Sequence, residues 1–159
     1  EHCVQRAEKL DNKVYILLTV CAFLFVPLTS IINEAKNIKF PKDVTDLTLV
    51  ILYAILVIFD IVVYCIMLSN LIGLLKGIKF VRFNTEEILE MNLIEQPSKV
   101  MVKYIGTKYA AFINYNNQIY ESRYKKLNLC TYLLVANVIA SILLEILCTF
   151  ISLKGGMVI

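Results

Sequence analysis

Asp60 is the residue whose type and position first ask for a chemical explanation, because it stands deep inside residues 47–75, a run with no other charged side chain. A carboxylate in hydrocarbon costs about 2.5–3.5 kcal/mol on insertion scales, so it must face a bundle interior, a partner or water. Tyr53 lies seven residues before it and Tyr64 four after, on the same helical face. One reading is a polar lining for an ion path. The other is a protonated carboxyl, or one hydrogen-bonded to either tyrosine, that fixes helix packing.

A longer polar stripe occupies the last apolar run, where Asn137, Ser141, Glu145 and Thr149 follow at intervals of four and stack along one helix face. Ala136 and Ala140 beside it form a small-xxx-small pair that permits close helix approach. Such a stripe must meet protein or water rather than lipid. It therefore serves as a pore lining or as interhelical glue within or between subunits. Three helices enclose little, so a water path needs several copies of the chain.

Basic residues supply the second kind of chemistry. Lys76, Lys79 and Arg82 follow the second apolar run, and Lys103, Lys108, Arg123, Lys125 and Lys126 precede the third. Those nearest the apolar runs fit anchoring to anionic lipid. Lys103 and Lys108 lie further away, and Tyr104, Tyr109, Tyr115 and Tyr120 interleave with this group. Together they make a candidate site for an anionic ligand such as a nucleotide, whose bases could stack on the rings. Tyrosines at helical spacing serve equally as core.

Enzyme chemistry finds little support. The single histidine is His2, and Cys3, Cys21, Cys65, Cys130 and Cys148 stand alone at irregular spacing, so zinc ligation and a disulfide framework are not expected. There is no Gly-rich phosphate loop, no GxSxG and no nucleophile with a candidate histidine base. No catalytic residue, metal or cofactor is expected.

The elements that must position these residues are set by composition. Of 159 residues, 58% are hydrophobic and only 18% charged, with a mean hydropathy of +0.70, against about 45–50% apolar and about 25% charged in soluble domains. The excess is concentrated in residues 14–32, 47–75 and 127–153, each near or above the ~20 residues that cross a bilayer core. The expected fold is an all-α membrane protein with three transmembrane helices. It carries a cytoplasmic helical bundle and a long helix continuing into the last span. The domain plan is a cytoplasmic helix at 1–13, spans at 14–32, 47–75 and 127–153, an external loop at 33–46, a cytoplasmic region at 76–126 and an external tail at 154–159.

A cytoplasmic N-terminus places twelve of the sixteen Lys and Arg residues on the positive-inside face. The sequence begins at Glu1, and a cleaved signal peptide is not expected because the first apolar run is long and lacks a small-residue cleavage pattern. Residues 4–13 should form one helix with span one, kinked at Pro27. Thr45 or Asp46 is the expected N-cap of span two. Asn84-Thr85-Glu86-Glu87 predicts a short helix to about Ile94, closed by Gln96-Pro97-Ser98. From Ser98 to Lys154 no proline interrupts what should be one helix, and Met101, Ile105, Tyr109, Phe112 and Ile119 mark its buried stripe.

Ala7-Glu-Lys-Leu-Asp11-Asn12-Lys13-Val-Tyr-Ile-Leu-Leu resembles the approach to the first span in small prokaryotic transmembrane effectors of nucleotide-signalled antiphage defence, including Pycsar-type effectors. Phe83-Asn-Thr-Glu-Glu-Ile-Leu, Asn116, Tyr120 and Tyr124-Lys125-Lys126-Leu127 are similar to the same group, in which a short acidic helix and a long helix lead into the final span. The chain departs from it in span number and shows no separate nucleotide-sensing domain. The resemblance implies an oligomeric inner-membrane effector that permeabilises the membrane when a nucleotide signal changes, or a Hailong-type arrangement controlled by a partner nucleotidyltransferase. With the residue reading, the expectation is a nucleotide-regulated homo-oligomeric ion channel, tetramer favoured, in antiviral defence. The rival is a non-conducting scaffold that anchors a cytoplasmic partner through residues 98–126.

Overall fold

The computed structural model describes residues 2–35, 43–76, 81, 86, 90, 95 and 97–155. Three helices carry almost all of them: α1 (His2–Ala35), α2 (Val44–Leu75) and α3 (Ser98–Gly155). No described residue is in a strand. All three helices are long and apolar enough to cross a membrane, so the chain is an all-α protein with the build of a multi-pass membrane protein.

Helix boundaries follow local chemistry. α1 enters its apolar stretch without a break and runs through Pro27 to Ala35. α2 starts two or three residues earlier than Thr45 or Asp46 would place it as caps: Asp43 is the N-cap, in extended conformation, and its carbonyl accepts from Leu47 N–H at 3.0 Å. Asp46 instead sits in the first turn, where its charge complements the helix dipole. At the start of α3 the carbonyl of Pro97 accepts from Val100 N–H at 2.8 Å. The helix then continues for 58 residues, about 87 Å at 1.5 Å per residue. Of the predicted short acidic helix, Glu86 and Glu90 are helical and exposed; the rest lies outside the described residues.

The three helices pack through a repeat of seven. On α1 the buried positions are Ala7, Leu10, Val14, Cys21, Leu28 and Ile31, with Leu17 and Leu24 partly buried between them, so successive contacts fall three and four residues apart. α3 continues the pattern at Arg123, Leu127, Cys130, Asn137, Ser141, Leu144 and Cys148. This is the spacing that keeps one seam of a helix against its neighbours in a left-handed bundle. α2 and α3 run antiparallel and meet in layers: Leu74 with Arg123, Met67 with Cys130, Asp60 with Asn137, and Tyr53 near Leu144. α1 is antiparallel to α2, because Tyr53 Oη donates to Ile31 O at 3.0 Å and Tyr64 Oη to Cys21 O at 3.2 Å.

Two apolar clusters result. The larger joins Leu10, Val14, Met67, Leu71, Leu74 and Leu127, with the small Cys21 and Cys130 beside them. The smaller joins Ile31, Tyr53, Leu144 and Cys148 at the opposite end. The outward faces stay strongly apolar, as at Ile16, Phe23, Ile58, Tyr132 and Ile146, which suits a lipid environment or further copies of the chain. In the polar half of α3, Met101, Ile105, Phe112 and Ile119 are half-buried, whereas Tyr109 is 58% exposed and leaves the predicted stripe.

Candidate functional site: a buried polar cluster and an exposed carboxylate

Between the two apolar clusters, at the middle of the spans, α2 and α3 enclose three polar side chains. Asp60 and Asn137 are fully buried and Ser141 nearly so. Asn137 Nδ2 donates to Asp60 Oδ1 at 2.6 Å and to Asp60 O at 3.2 Å, and Ser141 Oγ donates to Asp60 Oδ2 at 3.0 Å. Both carboxyl oxygens therefore have a partner. Asn137 Oδ1 is buried without a partner among the described residues. Tyr53 and Tyr64, the alternative partners for Asp60, donate instead to carbonyls of α1.

The predicted stripe on α3 divides. Asn137 and Ser141 face Asp60 inside the bundle, while Glu145 and Thr149 are exposed. The reason is angular, since each step of four residues advances about 40° beyond a full turn. The buried face follows the seven-residue repeat to Leu144 and Cys148, and the strict interval of four drifts off it. Thr149 Oγ1 donates back to Glu145 O at 2.9 Å. The Glu145 carboxylate has no ion pair or hydrogen bond among the described residues, and exposed Ile142 and Ile146 flank it. Ala140, of the small-residue pair, is buried as the close-approach reading requires.

The basic candidates do not form one site. Arg123 is buried at the edge of the apolar region, where one guanidinium nitrogen bonds Asp11 Oδ1 at 2.8 Å and Leu74 O at 2.6 Å. It thus joins all three helices and satisfies a carbonyl in the last turn of α2, the task of a C-terminal cation. Lys103 borders an open groove with Lys99, Tyr104 and Thr107, and Lys108 lies 5.4 Å from the Tyr104 ring centroid. Lys125 and Lys126 are exposed. From Lys103 to Lys125 is about 33 Å along the helix, so these five residues cannot hold one small anion.

Of the interleaved tyrosines, Tyr104 and Tyr120 are half-buried and Tyr109 and Tyr115 exposed. Tyr120 and Tyr124 stack with centroids 6.1 Å apart, Arg6 lies 4.3 Å over Tyr120 and Lys13 5.9 Å over Tyr124. Asn116 is occupied as well: its amide accepts from Val81 N–H at 3.1 Å and donates to Val81 O at 3.0 Å. Sequence reasoning missed the role of Asp11, which a seven-residue reading of α1 against α3 would have brought near Arg123. Among the described residues no group of three or more His, Cys, Asp and Glu is placed to hold a metal ion. Comparison with protein-family models, with curated proteins and with solved structures found no match.

Proposed function

We propose that the chain is a homo-oligomeric membrane effector that forms an ion-conducting pore, with Glu145 on the surface shared between subunits. One observation carries this reading: Glu145 is exposed on the protomer within an apolar span, flanked by Ile142 and Ile146. It lies eight residues beyond Asn137, about 12 Å along the axis and still within a hydrocarbon core of about 30 Å. A carboxylate there must meet water or another subunit. Asp60, by contrast, has its partners inside the protomer and serves packing. Asn137 and Ser141 leave the pore lining with it.

In this reading the N-terminus and the polar segment 76–126 are cytoplasmic, the membrane is a prokaryotic inner membrane, and conduction is controlled by a nucleotide signal or a nucleotidyltransferase partner in antiphage defence. The likeness of residues 7–18, 83–89 and 124–127 to that effector group supports this part. A ring of carboxylates repeated by symmetry favours cations over anions. Current recording with purified protein in bilayers should show cation preference that weakens in Glu145→Gln, and toxicity on overexpression should fall in Glu145→Leu at equal membrane abundance. Unchanged reversal potentials and toxicity, with assembly intact, would sink the pore.

The scaffold reading keeps one observation of its own: Val102 and Tyr109 are 70% and 58% exposed on the polar half of α3, a surface open to a partner. Oligomeric state in detergent separates the two. A monomer or dimer favours the scaffold, since neither gathers enough carboxylates to line a pore.

A further inference from the structure

α1 and α3 run parallel and leave a groove between them of about 220 Å³, lined by Lys13, Ile16, Leu17, Tyr124, Leu127, Asn128 and Thr131. Its residues are sorted along the helix axes. Lys13 and Tyr124 stand at the mouth, one and three residues before the apolar runs begin on their respective helices. Ile16, Leu17 and Leu127 line the wall inward, and Thr131 closes the far end, about 10 Å deeper. The Thr131 hydroxyl is turned to its own backbone, donating to Leu127 O at 3.1 Å. The groove therefore offers an ammonium at its mouth and a mainly apolar wall within, the Asn128 amide standing beside Leu127. The nearby Asp11 carboxylate, which would repel an anion, is paired with Arg123.

We propose that this groove binds one anionic phospholipid per protomer, its phosphate on Lys13 at the mouth and an acyl chain along Ile16, Leu17 and Leu127. The Lys13 charge at the mouth and the Ile16, Leu17 and Leu127 wall beyond it match the order of headgroup and chain across a membrane boundary. A soluble anion would leave the apolar wall uncovered, and a zwitterionic lipid carries a cation beside its phosphate that offsets the attraction to Lys13. Nothing in this assignment depends on conduction, so it stands or falls apart from the pore.

The test is native mass spectrometry of delipidated protein in neutral detergent, titrated with phosphatidylglycerol or phosphatidylcholine. One phosphatidylglycerol per protomer should be retained at least ten-fold more strongly than phosphatidylcholine. Lys13→Gln should abolish that preference, Lys13→Arg should restore most of it, and Thr131→Phe, which fills the inner end, should weaken retention of both lipids. Lys76→Gln, which removes a charge at the end of α2 away from the groove, should change nothing. Equal retention of the two lipids, or equal losses in Lys13→Gln and Lys76→Gln at unchanged helicity, would overturn the site in favour of diffuse surface attraction. Displacement of the lipid by millimolar inorganic phosphate would overturn it too, by making the mouth an anion site alone.

Discussion

Asp60 shows how a residue can be conspicuous in sequence and yet be settled by its neighbours. Its two carboxyl oxygens are held by Asn137 and Ser141, so removing one partner exposes the other's unmet bonding rather than subtracting a contact. A double-mutant cycle with Asp60→Ala and Asn137→Ala, read by unfolding in detergent, should give a coupling of about 1–2 kcal/mol, the upper end for interhelical bonds in membranes. Additive losses would show that the bond contributes nothing. Arg123 makes a related case at the edge of the apolar region, with a side chain 9% exposed against 48% for Asp11. Asp11→Ala leaves a buried guanidinium without its anion, although solvent around the aspartate already screens the pair. The expected loss is about 1–3 kcal/mol, smaller in high salt. Arg123→Met should cost less than the aspartate change once the charge itself is gone.

At the scale of elements, the apolar runs and the absence of proline after Ser98 made the three helices legible, including the continuous α3 that the structure places at Ser98–Gly155. Which side chains share a buried face was less legible, because an interval of four and a repeat of seven coincide over one turn and separate over three. Asn137 and Ser141 satisfy both patterns; Glu145 and Thr149 satisfy only the first. The same ambiguity put Tyr109 into a stripe that the structure leaves at Met101, Ile105, Phe112 and Ile119. No pattern on α3 alone could reveal that Arg123 would be taken up by α1 and α2, since that depends on how the helices pair. Continuity of α3 can be tested at Gly106, where an added Cβ would meet nothing within 4 Å. Gly106→Ala should stabilise the protein by about 0.5–1 kcal/mol, read as a raised midpoint of unfolding. A loss instead would mean that the backbone at this position is not helical.

For the whole molecule, sidedness is the first quantity to measure. A cysteine introduced at Gly155 should react with an impermeant maleimide applied from outside intact cells, and one at Asn84 should not; the reverse pattern would overturn the positive-inside orientation. A second consequence lies in the four layers between α2 and α3. Two are closed mainly by apolar groups, and a shift of α3 along α2 by one repeat, about 10.5 Å, would bring Asp60 level with Cys130 or Leu144 at little cost in shape there. The Asp60 layer and the Arg123 layer oppose the slide, because the carboxyl would lose both donors in hydrocarbon and the buried guanidinium would leave the Leu74 carbonyl. The information that selects one alignment out of several is thus concentrated in Asp60, Asn137 and Ser141 and in Arg123, as two keys cut into an otherwise smooth shaft. Replacing Asp60, Asn137 and Ser141 by apolar residues of similar size together with Arg123→Met should leave three helices that still associate, yet engineered cysteine pairs across α2 and α3 would then cross-link in more than one alignment.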